Sequence, residues 1–228
     1  MDWLERERRL IGSEAVEKIA ASRILIFGIG GVGSYTAEAV ARAGAGSMLL
    51  IDKDTVDVTN INRQLMANRT TVGLYKTYVM RERIRSINPD CDVRVSECFV
   101  GADNAAAILD VYRPTYVADC IDNVTGKLAI IEGCKERNIP VISCMGTGNK
   151  MDPSRFMISD IGKTSVCPLA RVMRRELKQR GIHHVDVLWS DELPHRDGER
   201  SPASISFVPS SAGLLIASHM IRKIIGDL

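Results

Sequence analysis

Residues 23–33 read RILIFGIGGVG: an apolar, partly β-branched run enters a cluster of glycines and is followed by a helical pattern over Ser34–Ala43. Strand, glycine turn and helix in that order place Gly28, Gly30 and Gly33 at the three positions of a nucleotide-binding fingerprint. Gly28 permits the tight turn, Gly30 lets backbone N–H groups approach a phosphate with no Cβ in the way, and Gly33 lets the helix pack close to the strand. A phosphate would then sit at a helix N-terminus, where unpaired N–H groups and the helix dipole favour anions. A second strand, Ser47–Ile51, ends in Asp52, with Asp54 two residues on. A carboxylate at that place suits ribose hydroxyls, in a dinucleotide enzyme and an ATP enzyme alike.

The next stretch separates those two classes. Residues 52–64 read DKDTVDVTNINRQ, and a helical pattern over 74–87 carries Lys76. Asn60, Arg63 and Lys76 thus fall on or just after the loop leaving the second strand, on the sheet edge where ligands bind in doubly wound folds. A guanidinium and an ammonium there match the several oxygens of a triphosphate better than a diphosphate that the glycine turn already holds. The plainer reading of Lys76 is a solvated helix residue. A fourth strand, Thr115–Asp119, runs into Cys120-Ile121-Asp122-Asn123, so Asp122 stands at the same edge. A carboxylate facing phosphate oxygens repels them unless a cation lies between, which makes Asp122 a candidate magnesium ligand; the plainer reading is a cap for the helix 124–138.

The remaining pattern fixes the expected class. A short helix at 13–20 with Ser13 as N-cap follows a basic cluster, Arg6, Arg8 and Arg9, that reads as a frayed terminus. Strands are expected at 92–96 and 140–145, and a helix at 104–110; the helix 74–87 stops before Asn88-Pro89. Regular alternation gives an α/β, Rossmann-like doubly wound, mostly parallel sheet. After Gly146-Thr147-Gly148-Asn149 the character changes to a strand at 155–159, a basic helix at 164–180, a polar loop at 190–202, a strand at 204–208 and a helix at 211–225. These predict C-terminal antiparallel strands and helices. We expect one unit over 1–228, with a nucleotide-binding core at 1–150 and an elaboration at 151–228 that is not an independent domain.

Composition narrows function less. The net charge of +2 over 228 residues gives no whole-molecule argument for nucleic acid, although Arg171, Arg174, Arg175, Lys178 and Arg180 face a single acid, Glu176, in the basic helix. No apolar run of about 18 residues exists to span a bilayer, so no stable membrane association is expected. The stretch MDWLERERRL is too charged for a secretory signal, which makes the cytoplasm the expected compartment. Cysteines 91, 98, 120, 134, 144 and 167 form no C-x-x-C pair, so no zinc is expected and most should be small core residues.

Taken together, GIGGVGS at 28–34, DKD at 52–54, NINRQ at 60–64, Lys76 in VGLYK and DCIDN at 119–123 resemble the adenylating domains of the ThiF/MoeB and ubiquitin-activating superfamily. The resemblance implies that ATP binds with Mg²⁺, a carboxylate attacks the α-phosphorus, pyrophosphate leaves and an acyl-adenylate forms. It implies that Asp52 binds ribose, that Asn60, Arg63 and Lys76 contact phosphates and that Asp122 holds the metal. Asp54, Gln64 and Asn123 complete the expected nucleotide-binding set, and Arg63, Lys76 and Asp122 the catalytic one. In these homodimers an arginine near the N-terminus reaches the partner's site, a role that would fall to Arg9. RLIGSEAVEKI at 9–19, SYTAEAVARAG at 34–44, INPDC at 87–91, residues 163–182 and FVPSSAGLLIASHMIRKII at 207–225 are similar to the branch whose members dehydrate threonylcarbamoyladenosine in tRNA beside the anticodon. That branch activates the threonyl carboxylate and closes a ring with release of AMP. Arg171, Arg174, Arg175 and Lys178 would then meet the tRNA backbone, and a sulfur-relay protein is a further expected partner. The alternative is an adenylyltransferase for a ubiquitin-like sulfur carrier. Cys167, just before Pro168, lies where some superfamily members carry a nucleophile, but cyclisation needs no thioester. An NAD-dependent oxidoreductase would rest on the glycines alone, with no Tyr-x-x-x-Lys pair to move a hydride.

Overall fold

The computed structural model describes residues 2–195, 199 and 202–228; part of the expected loop 190–202, residues 196–198 and 200–201, lies outside them. Seven strands, β1 (Arg23–Phe27), β2 (Ser47–Ile51), β3 (Asp92–Ser96), β4 (Tyr116–Asp119), β5 (Val141–Cys144), β6 (Phe156–Asp160) and β7 (Asp186–Ser190), form one sheet in the order β3-β2-β1-β4-β5-β7-β6. All neighbours are parallel except β6, which runs antiparallel to β7. The antiparallel C-terminal element is therefore a single strand, and β7 continues the parallel sheet.

The strands read as they do because helices cover both faces. Along β1, Ile24 and Ile26 point into one core with residues of α3 (Gly33–Arg42), α4 (Lys76–Ile87) and α8 (Phe207–Ile225). Leu25 and Phe27 point into a second core with α5 (Ala105–Tyr112) and α6 (Val124–Glu136). A third cluster packs α7 (Pro168–Gln179) on Val187 and Trp189 of β7. The connection from β1 leads to β2 on one side, while β4 leads to β5 on the other, so a crevice opens between the carboxyl ends of β1 and β4.

Several expectations are corrected. Residues 5–11 form a helix, α1, braced by an Arg8–Asp2 ion pair at 3.1 Å, where a frayed terminus was expected. Ser13 does not cap α2 (Ser13–Ala20): the cap position is Gly12, whose φ of +87° breaks the two helices apart. The helix expected from 74 starts at Lys76, because Gly73 and Leu74 are held in a turn by hydrogen bonds to Val56 and Thr55 bridges Tyr75. Residues 204–208 are not a strand; α8 already begins at Phe207, with Pro209 in its first turn, where a missing N–H costs nothing. The strand β7 was not expected at all. The basic helix starts at Pro168, a residue suited to the first helical position, and not at 164. Among the described residues no helix is long and apolar enough to cross a membrane.

Candidate functional site

A cavity of about 450 Å³ opens over the crevice between β1 and β4. Its floor is the glycine turn. Gly28 has φ +85°, and a Cβ there would stand 2.9 Å from the Cys120 backbone; one on Gly33 would strike the Gly28 carbonyl oxygen at 1.8 Å. Both glycines are thus demanded by the packing of the protein itself. Gly30 is different. A Cβ on it would meet nothing nearer than Gln64 Nε2 at 3.9 Å, so the open space above it is cavity, at the N-terminal end of α3. This is the shape a phosphate requires.

Asp52 welds the end of β2 to this turn: Oδ2 accepts from Ile29 N at 2.7 Å and Oδ1 from Asp54 N at 2.9 Å. A carboxylate offers about four acceptor sites, so capacity for a hydroxyl remains. Lys76, buried in the first turn of α4, pairs with Asp54 Oδ2 at 3.2 Å, and Lys53 holds the other oxygen at 2.9 Å. Burial pushes the Asp54 carboxyl up, but the hydrogen bonds and charges of Lys53 and Lys76 outweigh it and leave the group below the usual range. Asp54 is therefore the counter-ion that keeps a buried ammonium at the cavity wall. Asn60 is buried in a reciprocal cap with Asp57, which fixes the turn carrying Arg63; one guanidinium nitrogen of Arg63 is anchored on Thr59 O at 2.7 Å and Asn62 Oδ1 at 2.8 Å. Gln64 is buried, and its Oε1 has no hydrogen-bond partner among the described residues, which leaves an acceptor free for a ligand.

Asp122 lines the cavity on the loop after β4. It is not the cap of α6: Asn123 Oδ1 accepts from Gly126 N at 2.7 Å and takes that role, so Asn123 contributes by setting the helix start. Among the described residues no three or more His, Cys, Asp or Glu side chains gather in a metal-holding group. A hard cation here would take Asp122 on one side and ligand oxygens on the other, the usual arrangement for magnesium with a nucleotide. Ile51, Cys98, Phe99, Val100 and Ile121 also line the cavity and supply apolar surface suited to a planar base. Phe99 and Val100 carry no local signal in the sequence, nor do Pro202 and Ser204, which also line the cavity; Thr147 and Gly148 have only the small-residue run at 146–149.

Arg9, Arg174 and Cys167 do not line the cavity. Arg9 is exposed on α1 and does not line this chain's cavity. Arg174 is turned inward, donating to Thr164 O at 2.6 Å and Thr164 Oγ1 at 2.7 Å, so it leaves the basic face, where Arg171, Arg175 and Lys178 remain exposed at helical spacing. Cys167 is buried at the start of α7 and does not line the cavity. Burial pushes the Cys91 thiol up to about 11 and those of Cys134 and Cys144 up to about 12. Those three are core residues, protonated and inert.

A profile of the ThiF family matches residues 4–227. The chain belongs to the ThiF family. It is 40% identical to the tRNA threonylcarbamoyladenosine dehydratase of Bacillus subtilis, across 98% of this chain and 94% of that protein. Two crystal structures of the Escherichia coli dehydratase superpose closely on this ThiF-family fold. The one in complex with AMP has a TM-score of 0.92 at 39% identity, and the one in complex with ATP has 0.91 at 40%; each covers 96% of this chain and 92% of the other. These matches extend on both sides of residue 150.

Proposed function

We propose that this chain is an ATP-dependent tRNA threonylcarbamoyladenosine dehydratase. The observation that carries the reading is 40% identity over nearly the full length of a named dehydratase, in a chain whose cavity brings Arg63, Lys76 and Asp122 around an open glycine turn. The chemical problem is that a carboxylate is a poor electrophile. Its oxygen attacks the α-phosphorus of ATP, pyrophosphate leaves, and the mixed anhydride with AMP carries a good leaving group. A neighbouring group of the same threonylcarbamoyl unit then attacks the activated carbonyl, closing a ring and expelling AMP with the former carboxylate oxygen. Proximity within one substrate supplies much of the second step.

The protein's task is to position and neutralise. N–H groups at the start of α3 hold phosphate over Gly30, Lys76 and Arg63 offset its charge, Asp52 orients the ribose and the apolar wall takes the base. Gln64 supplies an acceptor or donor to the nucleotide. Asp122 would hold a magnesium ion, which would supply charge neutralisation for the phosphates. We take residues 1–228 as one functional unit that acts in the cytoplasm as a homodimer, with Arg9 of each protomer reaching the other's cavity. The tRNA backbone meets Arg171, Arg175 and Lys178, and a sulfur-relay protein is a further partner to be sought.

The deciding experiment measures AMP release by the purified chain. Stimulation by threonylcarbamoylated tRNA is expected, together with loss of water mass from the modified nucleoside. Stimulation only by a ubiquitin-like carrier ending in Gly-Gly would overturn the reading in favour of a sulfur-carrier adenylyltransferase.

A further inference from the structure

Beneath the cavity lies a polar cluster that the chemistry above does not use. Asp119, Lys127 and Ser143 are all fully buried. Lys127 Nζ donates to Asp119 Oδ2 at 3.0 Å and to Ser143 Oγ at 3.2 Å, and the Ser143 hydroxyl donates to the same carboxylate oxygen at 2.6 Å. The other oxygen, Oδ1, accepts from Ile121 N at 3.3 Å. The three residues come from three elements: Asp119 ends β4, Ser143 lies beside it in the register of β5, and Lys127 projects from the first turns of α6.

An ion pair taken wholly out of water is a poor way to add stability, because desolvation offsets most of the attraction and apolar residues of like size do as well. Asp119 ends a strand that is apolar until that point, and Val117, two residues earlier, packs in the ordinary core of α5 and α6. What the pair does contribute is direction, since a charge inside the core tolerates one geometry only. Its placement says which segments are directed. The residues after Asp119 are Cys120, Ile121, Asp122 and Asn123, all in the cavity wall; β5 leads to Thr147 and Gly148, which also line the cavity; α6 begins at the Asn123 cap. The cluster thus ties together the roots of both loops and the helix between them.

We propose that Lys127, Asp119 and Ser143 form a buried positioning cluster that fixes the loop 120–123, and with it Asp122, in the orientation that receives magnesium and the nucleotide phosphates. The proposal rests on the ATP reading above. It assigns these residues no contact with substrate; they act through the backbone of the loop.

The test uses the full chain and the double variant Asp119→Asn/Lys127→Met, which removes both charges while leaving an amide to accept from Ile121 and to pair with Ser143. Thermal unfolding should change little. In the ligand-free protein, hydrogen exchange at the amides of 121–123 should quicken by about tenfold. The magnesium concentration for half-maximal AMP release should rise by about tenfold, the usual effect of loosening a group behind a metal ligand, while ATP affinity in EDTA stays within about threefold. Unchanged exchange, or quickened exchange with an unchanged magnesium requirement, overturns the proposal. Ser143→Ala keeps the ion pair and guards against a double variant that does not fold; it should raise the same magnesium requirement by about threefold, and no rise also overturns the proposal. If the parent chain releases no AMP with any substrate, the ATP reading fails, and the exchange measurement still decides whether the cluster holds the loop.

Discussion

At the scale of single residues, three glycines that look equivalent in a motif separate into two kinds. Gly28 and Gly33 are required by protein backbone, at 2.9 Å and 1.8 Å from the Cβ each would acquire, whereas Gly30 borders empty cavity. Gly30→Ala should therefore leave thermal unfolding nearly unchanged and weaken ATP binding by tenfold or more, about 1.4 kcal/mol, in titration calorimetry. Gly28→Ala should instead destabilise the protein by about 2 kcal/mol or more, since it adds both a backbone clash and a strained positive φ. A Gly30→Ala variant with normal ATP affinity would remove the phosphate from that position. Asp54 shows the same division of labour. Asp54 lines the cavity and also holds Lys76 at its wall.

At the scale of elements, α7 divides its basic residues between fold and surface. Arg174 is bound to Thr164 and ties the helix to the segment before it, while Arg171, Arg175 and Lys178 lie along one exposed face. Arg171→Glu with Lys178→Glu should raise the KM for tRNA by about tenfold or more, reduce the salt slope of tRNA binding by about two, and leave ATP affinity as it was. Arg174→Ala should cost about 1–2 kcal/mol in denaturant unfolding without that change in salt slope. The elements themselves were legible where a period runs long enough: β1, β2 and β3 fall where the apolar runs place them. They were not legible where one residue type serves two structures. The stretch Ser204–Val208 alternates like a strand, yet its second half starts α8, because Val208 and Ala212 are drawn into the core against the sheet. The strand β7 has only VDVLWS to announce it, and it is a strand because β5 offers it an open edge.

At the scale of the whole molecule, the site of one chain contains no part of α1, although that helix presents Arg9 to solvent. In the proposed homodimer, Arg9→Ala and Asp122→Ala chains should each be inactive alone. Mixed and reassembled in equal amounts, they should recover about a quarter of the parental AMP release, since each heterodimer holds one complete site. No recovery would place Arg9 outside the partner's cavity. The candidate site was legible from Gly28 to Asp122 because its residues follow the carboxyl ends of strands, and local spacing alone puts them on one edge of a parallel sheet. The apolar wall at Phe99 and Val100, the rim at Thr147 and Pro202, and the cluster of Asp119, Lys127 and Ser143 carry no such spacing. Asp119 and Ser143 meet because β4 pairs with β5, while Phe99 and Val100 follow β3, Thr147 follows β5 and Pro202 lies beyond β7, so it is the order of the strands in the sheet that gathers them. Periodicity and turn chemistry act over a few residues, so they write the glycine turn, its acids and its cations into the chain. Which distant loops close over that turn is decided by sheet order and packing, where the interactions run between residues that the sequence keeps far apart.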